Sequence, residues 1–162
     1  QADAARAVSA VHYPPSGSRG VGLARAQGYG AGFEAYRTWL DREAVVIVQV
    51  EHVEAVERLE EILSVNGVDG YLVGPYDLSA SLGVPGQFGH AKVRKALRHI
   101  RAVAKARGVP GGIHVIEPDL HEAKRRLAEG WVFLAYSLDI RMLDVACRQG
   151  MAALRPARRK RR

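Results

Sequence analysis

Two apolar patterns alternate along most of the chain. Continuous apolar runs, typical of strands buried on both faces of a parallel sheet, occur four times. They span residues 44–50, 70–73, 111–116 and 132–137. Stretches with apolar residues every three or four positions, typical of amphipathic helices, follow the runs. They span residues 54–64, 92–107, 120–129 and 140–153. The alternation predicts an α/β fold of four βα units with a parallel sheet.

The chain ahead of these units is predicted to be a helix, a loop and a second short helix. Helical spacing of small apolar residues ends at the pair Pro14 and Pro15, and a loop rich in proline and glycine follows. Four βα units make either a small doubly wound sheet or half of an eight-stranded barrel, which needs about 250 residues. The glycine-rich signatures of Rossmann and P-loop folds are absent, so these patterns give a nucleotide site little support.

Composition indicates a globular body with a basic tail. Apolar residues make up 48% of the 162 residues and charged residues 25%, as in ordinary domains. The net charge is +7, but residues 155–162 contain six basic side chains and no acid, which leaves +1 for the rest. We therefore predict one domain at 1–154 and a disordered tail at 155–162, with neither nucleic acid nor membrane as a partner.

The single cysteine and the absence of targeting signals bear on location. Cys147 has no partner for an internal disulfide and lies in a helical pattern, so we expect a buried thiol in a reducing compartment. No apolar stretch approaches the ~20 residues of a membrane span. Residues 1–10 do not have the charged-then-apolar order of a signal peptide. These features predict a soluble, cytoplasmic protein.

Polar residues follow the predicted strands at the edge where parallel α/β folds bind ligands. Gln49 and Glu51 fall on one face of the first strand, and Asp77 follows the second. Carboxylates on neighbouring strands suit a hard divalent cation that keeps positions open for water and an oxygen-rich substrate. The other interpretation is that Glu51 pairs with a buried arginine and Asp77 caps a helix over residues 78–82.

Three further residues have a chemical interpretation and a structural one. His114, on the third strand, is either a general base or ligand, or a hydrogen-bonded core residue. Asp139 is expected to cap the last helix. Arg19, in a glycine-rich loop, either binds an anion or holds a subunit interface. The remaining histidines lack the spacing of a zinc site.

Several motifs together resemble those of the HpcH/HpaI class II aldolase family. They are YPPSGSRGVG at 13–22, RAQGYG at 25–30, QVE at 49–51, EEILSVNGVDGYLVGPYDLSASLG at 60–83 and the ending GWVFLAYSLDIRML. The resemblance implies that the chain is the last four βα units of a (β/α)₈ barrel of the phosphoenolpyruvate/pyruvate-binding superfamily. It also implies a homo-oligomer.

The resemblance implies a carbon–carbon lyase that cleaves 4-hydroxy-2-oxo acids to pyruvate and an aldehyde. Glu51 and Asp77 would bind Mg²⁺, Mn²⁺ or Co²⁺, and Gln49 and the backbone amides of Tyr76 and Asp77 would contact the substrate. A divalent ion chelated by the carboxylate and keto oxygens of pyruvate stabilises the charge formed when the C3–C4 bond breaks.

The resemblance also implies that part of the machinery is absent from this chain. The family's catalytic histidine and the arginine that contacts the keto oxygen lie on strands ahead of the YPP motif, so no catalytic residue is assigned here. We therefore expect this chain to be inactive by itself. The alternative is a non-catalytic remnant that binds a metal–pyruvate complex or a partner subunit.

Overall fold

The computed structural model describes residues 1–154, which form helices and four short strands. The helices are α1 (Ala2–Val11), a 3₁₀ helix (Arg25–Gly30), α2 (Phe33–Glu43), α3 (Val53–Glu57), α4 (Leu59–Leu63), α5 (Pro75–Ser81), α6 (Ala91–Arg107), α7 (Leu120–Ala128) and α8 (Asp139–Leu154). The strands are β1 (Ile47–Val50), β2 (Gly70–Val73), β3 (Gly111–Val115) and β4 (Phe133–Tyr136). The predicted basic tail at 155–162 lies outside the described residues.

The strands pair in parallel, β1 with β2 in one pair and β3 with β4 in the other. In the first pair, Ile47 lies opposite Gly70 and Val50 opposite Val73. In the second pair, Gly112 lies opposite Phe133 and Val115 opposite Tyr136. Helices connect the strands, as parallel pairing requires. The predicted α/β class with parallel strands is confirmed.

The chain forms two compact units, Gln1–Gly111 and the part that begins at Gly112. In the first unit, the most deeply buried side chains come from both strands and from α4, α5 and α6. They include Val50, Leu59, Val73, Val93 and Ile100, each with no exposed surface. In the second unit, the core contains Ile113, Val115, Ala123 and Trp131. Each unit therefore buries apolar residues from its strands and from the helices that follow them.

Two predicted elements differ from the structure. The helix predicted at 54–64 is divided at Arg58, which has φ −105° and ψ 22° and ends α3 while beginning α4. The run at 44–50 becomes a strand only from Ile47, and it is not buried on both faces. Val46 and Val50 are buried, but Val45 and Ile47 expose 67% and 48% of their surfaces. The described residues therefore cover β1 on one face only.

The last helix corrects the prediction for Cys147. None of the residues of α8 is buried within the described part of the chain, and Cys147 is exposed. The prediction of a buried thiol is wrong, because the described residues do not cover α8. A helical pattern in the sequence does not show whether a helix is covered. In residues 1–154, the helices are all too short or too polar to cross a membrane.

Candidate functional site

Gln49 and Glu51 lie side by side at the carboxyl end of β1. Alternation along the strand directs Val50 into the core, where it has no exposed surface, and gives its two neighbours the opposite face. The Gln49 Nε2 donates a hydrogen bond of 2.5 Å to Oε2 of Glu51. The predicted common face of these two residues is therefore confirmed, and the amide fixes the position of the carboxylate.

Gly74 makes room for that carboxylate at the end of β2. The register that sets Val50 opposite Val73 continues, since the Gly74 amide donates to the Val50 carbonyl at 3.3 Å. A Cβ at Gly74 would lie 2.6 Å from Oε2 of Glu51 and 3.0 Å from Nε2 of Gln49. A side chain there would displace the ends of the Glu51 and Gln49 side chains, so Gly74 leaves the space that the Glu51 carboxylate occupies.

Asp77 lies in the first turn of α5, directly after β2. Gly74 is the N-cap and Pro75 begins the helix, where its missing amide hydrogen costs nothing. The first bond of the helix runs from the Leu78 amide to the Gly74 carbonyl. The amides of Tyr76 and Asp77 therefore precede the hydrogen-bond ladder and are available to an acceptor. Both residues are exposed.

The structural alternative is wrong for Asp77. Gly74 caps α5, and Asp77 is its third residue, so Asp77 does not cap a helix over 78–82. Within residues 1–154, Glu51 has Gln49 as its partner instead of a buried arginine, and the Asp77 side chain makes neither a hydrogen bond nor an ion pair. Both carboxylates thus keep oxygen atoms free to bind a ligand.

Two serines that sequence reasoning did not single out hold α5 in place. The Ser81 hydroxyl accepts from the Val53 amide at 3.1 Å and donates to the Leu78 carbonyl at 2.8 Å, which ties α5 to the start of α3. The buried Ser79 hydroxyl donates to the Tyr76 carbonyl at 2.7 Å and accepts from the Gly86 amide at 2.9 Å. The paired serines of the DLSASLG motif were the available signal, because serine hydroxyls bind nearby backbone groups in short helices.

The Tyr76 ring packs on the loop that follows α5. Its edge-to-face contact with Phe88 has a centroid distance of 4.9 Å. The ring also approaches Gly86, where a Cβ would lie 3.7 Å from Cε1 of Tyr76. About half of the Tyr76 side chain remains exposed. The loop therefore packs against Tyr76, whose backbone amide lies in the first turn of α5.

The other candidate residues make structural contacts. In the second unit, the half-buried His114 places Nε2 3.3 Å from the Ser137 carbonyl, as expected of a hydrogen-bonded core histidine. The Asp139 carboxylate accepts from the adjacent Ile140 amide at 2.7 Å, but Asp139 is the first residue of α8, so the predicted cap, which would bind the second or third helical amide from outside the helix, is wrong. In the first unit, the Arg19 guanidinium lies over the rings of Tyr13 and Tyr36, 5.1 and 5.7 Å from their centroids.

Two carboxylates of the first unit are candidate donors for a divalent cation of the hard type. Within residues 1–154, no three His, Cys, Asp or Glu side chains are grouped closely enough to hold a metal ion. The candidate donors are instead the Glu51 carboxylate, held by Gln49 in the space left by Gly74, and the unpartnered Asp77 carboxylate. Two such donors match ions that keep water and substrate oxygens in their remaining positions.

Comparison with known proteins identifies relatives that cover most of the chain. A model of the HpcH/HpaI aldolase/citrate lyase family matches residues 1–144. A hydroxypyruvate/pyruvate aldolase from Sagittula stellata is 44% identical over 145 residues, which are 89% of this chain and 56% of that protein. A 2-keto-3-deoxy-L-rhamnonate aldolase from Escherichia coli is 42% identical over 158 residues, with 93% of this chain and 57% of that protein covered.

The same family appears among solved structures. An HpcH/HpaI aldolase/citrate lyase family protein from Burkholderia cenocepacia superposes with a TM-score of 0.86 and 36% identity, covering 96% of this chain and 61% of that one. The predicted fold, part of a (β/α)₈ barrel, is confirmed by this similarity. The chain spans a little over half the length of the relatives that it matches. It belongs to the HpcH/HpaI aldolase/citrate lyase family.

Proposed function

We propose that the chain contributes the metal-binding carboxylates of an aldolase that cleaves 4-hydroxy-2-oxo acids to pyruvate and an aldehyde. The observation that carries the proposal is the Glu51 carboxylate, bonded to Gln49 and seated where Gly74 has no side chain. The aldolase relatives at 42–44% identity support the reaction class. The position of the Glu51 carboxylate supports the proposed metal site.

Glu51 and Asp77 are the residues that would hold Mg²⁺, Mn²⁺ or Co²⁺. Bound there, the ion would draw electron density from the oxygens of a 2-oxo acid and so stabilise the charge that develops as the C3–C4 bond breaks. Glu51 is pre-positioned, because its partner Gln49 restricts the carboxylate to one orientation. Asp77 is exposed and can adjust to the ion.

The start of α5 would bind the carboxylate of the 2-oxo acid. The amides of Tyr76 and Asp77 lie ahead of the first helical hydrogen bond, which the Leu78 amide donates. Ser79 and Ser81 hold the helix so that these amides keep their direction. Gln49 donates to Glu51 through Nε2 and retains a carbonyl oxygen that can accept from a substrate hydroxyl or water. Proton transfer is not assigned to a residue of this chain.

Calorimetry of metal and 2-oxo acid binding tests the proposal. Mn²⁺ and then pyruvate or oxamate would be titrated into the wild-type chain, Glu51→Gln, Asp77→Asn and the control Glu57→Gln. Glu57 is an exposed carboxylate of α3 outside the site. We expect both site variants to lose Mn²⁺ binding and the control to retain it. Absence of binding by folded wild-type chain, or equal loss in the control, would contradict the site.

A second candidate function is association with another subunit through α8. Within residues 1–154, this helix buries none of its residues, and its exposed apolar side chains recur at helical spacing. They are Ile140, Leu143, Met151 and Leu154. An exposed apolar stripe of this length favours a protein partner, in line with the expected homo-oligomer. Light scattering after gel filtration would show dimers or larger species, and Leu143→Asp with Met151→Asp would shift them to monomers.

A further inference from the structure

The helix α6 concentrates positive charge that is not apparent from the net charge of +1 for residues 1–154. Its 17 residues contain seven lysines and arginines and no acid. These are Lys92, Arg94, Lys95, Arg98, Arg101, Lys105 and Arg107. Its apolar side chains Val93, Leu97 and Ile100 are buried, so the cations occupy the opposite face. A body with a net charge of only +1 therefore carries a strongly basic helix.

Three of these cations have neither a hydrogen bond nor an ion pair within residues 1–154, and they lie along one stripe. At the end of the helix, Arg107 pairs with Glu60 at 3.0 Å and is already satisfied. Lys95, Arg98 and Lys105 are exposed and make no hydrogen bond or ion pair with the part of the chain that the structure describes. Their spacings of three and seven residues place them about one and two turns apart, within a helix ~25 Å long.

The neighbouring side chains indicate which anion this stripe fits. No large apolar residue of α6 is exposed, so the helix lacks the face that enters a lipid surface. Its sequence contains no Phe, Tyr or Trp, the larger rings on which bases would stack. What remains is a straight row of flexible cations, which matches a linear chain of regularly spaced anions better than a compact ligand.

We propose that the exposed face of α6, through Lys95, Arg98 and Lys105, binds the phosphodiester backbone of a nucleic acid without regard to sequence. The inference is independent of the proposed aldolase function and departs from the expectation drawn from net charge. Backbone contact by lysine and arginine releases counterions and is steeply salt-dependent. Binding should therefore be strong at low salt and lost as salt rises.

Fluorescence anisotropy with a duplex DNA and a single-stranded RNA of about 20 nucleotides tests this proposal, since both exceed the helix in length. The complete chain would be compared with the variant Lys95→Gln/Arg98→Gln/Lys105→Gln. We expect at least a tenfold loss of affinity at low salt and a slope of log affinity against log salt that is smaller by about 2 to 3. Tighter binding of one nucleic acid would identify the source of the phosphates.

Two control variants test whether nucleic-acid binding depends on this face of α6 or only on the overall charge of the chain. Arg25→Gln/Arg42→Gln/Lys124→Gln removes the same charge from exposed positions outside α6 and should leave the affinity within about twofold. Lys95→Arg/Arg98→Lys/Lys105→Arg keeps the charge and should keep binding, with helical circular dichroism confirming the fold of each variant. Equal loss in the first control, loss in the second, or equal competition by polyglutamate would overturn the proposal.

Discussion

The amide of Gln49 donates a 2.5 Å hydrogen bond to the carboxylate of Glu51, two residues further along the same strand face. Because the amide uses one oxygen of the carboxylate, the other oxygen has a defined direction instead of several rotamers. A hydrogen bond to a charged group contributes about 1.5–3 kcal/mol where it is shielded from water, and less for an exposed pair such as this one. Gln49 therefore acts as a positioning residue for the proposed metal ligand.

Replacing Gln49 by alanine is expected to weaken Mn²⁺ binding without unfolding the chain. The Glu51 carboxylate would lose its partner and sample other rotamers, so we expect a loss of affinity of about tenfold or more. Calorimetry provides the measurement, with Gln87→Ala as the control, because Gln87 is an exposed glutamine outside the site. Unchanged affinity in Gln49→Ala would show that the hydrogen bond does not position a ligand.

Gly74→Ala tests the space that the carboxylate occupies. The added Cβ would lie 2.6 Å from Oε2 of Glu51, so the carboxylate must move away from its present place. We expect Mn²⁺ affinity to fall by at least tenfold while helical circular dichroism is retained. The matched variant is Gly89→Ala, where an added Cβ meets nothing within 4 Å. If both variants bind Mn²⁺ like the wild type, the position of Glu51 is not important for binding.

The fold could be predicted wherever the apolar period was clear. The predicted bounds of 70–73 match β2, and 92–107 is one residue short of α6, because each has an unambiguous pattern of buried positions. The helix α5 was not predicted with its bounds. Its sequence PYDLSAS contains few apolar residues, and serines favour turns as much as helices. The division at Arg58 also follows no pattern in the sequence.

In the candidate site, as in the fold, features set by the local sequence pattern could be predicted. Features set by contacts between distant residues could not. Strand alternation alone placed Gln49 and Glu51 on one face, and the hydrogen bond between them confirms it. The role of Gly74 could not be predicted, because it depends on the register that sets β2 beside β1. The assignment of Glu51 and Asp77 as metal ligands stays a prediction.

Tyr71 gives the first unit a dependence on alkaline pH. The side chain is 2% exposed, and a Cβ at Gly111 would lie 2.2 Å from its Cζ, so the ring fills the space beside that glycine. Burial raises the pKa of the Tyr71 hydroxyl to about 12, partly opposed by the charge of Arg101. The folded state therefore holds this proton more tightly than the unfolded state, whose tyrosines titrate near 10.

The sign of the effect follows from that difference. The contribution of the Tyr71 hydroxyl to the free energy of unfolding is complete below pH 10. It is lost as the pH rises towards 12, because the unfolded state releases the hydroxyl proton first. The free energy of unfolding of the wild type should fall by about 2 to 3 kcal/mol more than that of Tyr71→Phe over this interval. Urea titrations at several pH values measure it, with Tyr29→Phe as an exposed control. Parallel curves for wild type and Tyr71→Phe would contradict the prediction.

Ser137 in the second unit combines an unfavourable backbone with an unsatisfied hydroxyl. Its φ is +56°, a left-handed conformation that costs a residue with a Cβ about 1–2 kcal/mol. The position is fixed by its neighbours, since its amide donates to the Val115 carbonyl at 2.7 Å and its carbonyl lies 3.3 Å from Nε2 of His114. Within the described residues, its buried hydroxyl oxygen has no hydrogen-bond partner.

Two substitutions separate these costs. Ser137→Ala removes the hydroxyl and keeps the strained backbone, whereas Ser137→Gly removes both but increases the entropy of the unfolded chain by about 0.5–1 kcal/mol. Because the backbone cost is the larger, we expect the glycine variant to exceed the alanine variant in free energy of unfolding by about 0.5–1 kcal/mol. Chemical denaturation of the three proteins measures the order. An alanine variant as stable as the glycine variant would show that the left-handed backbone at 137 costs the fold nothing.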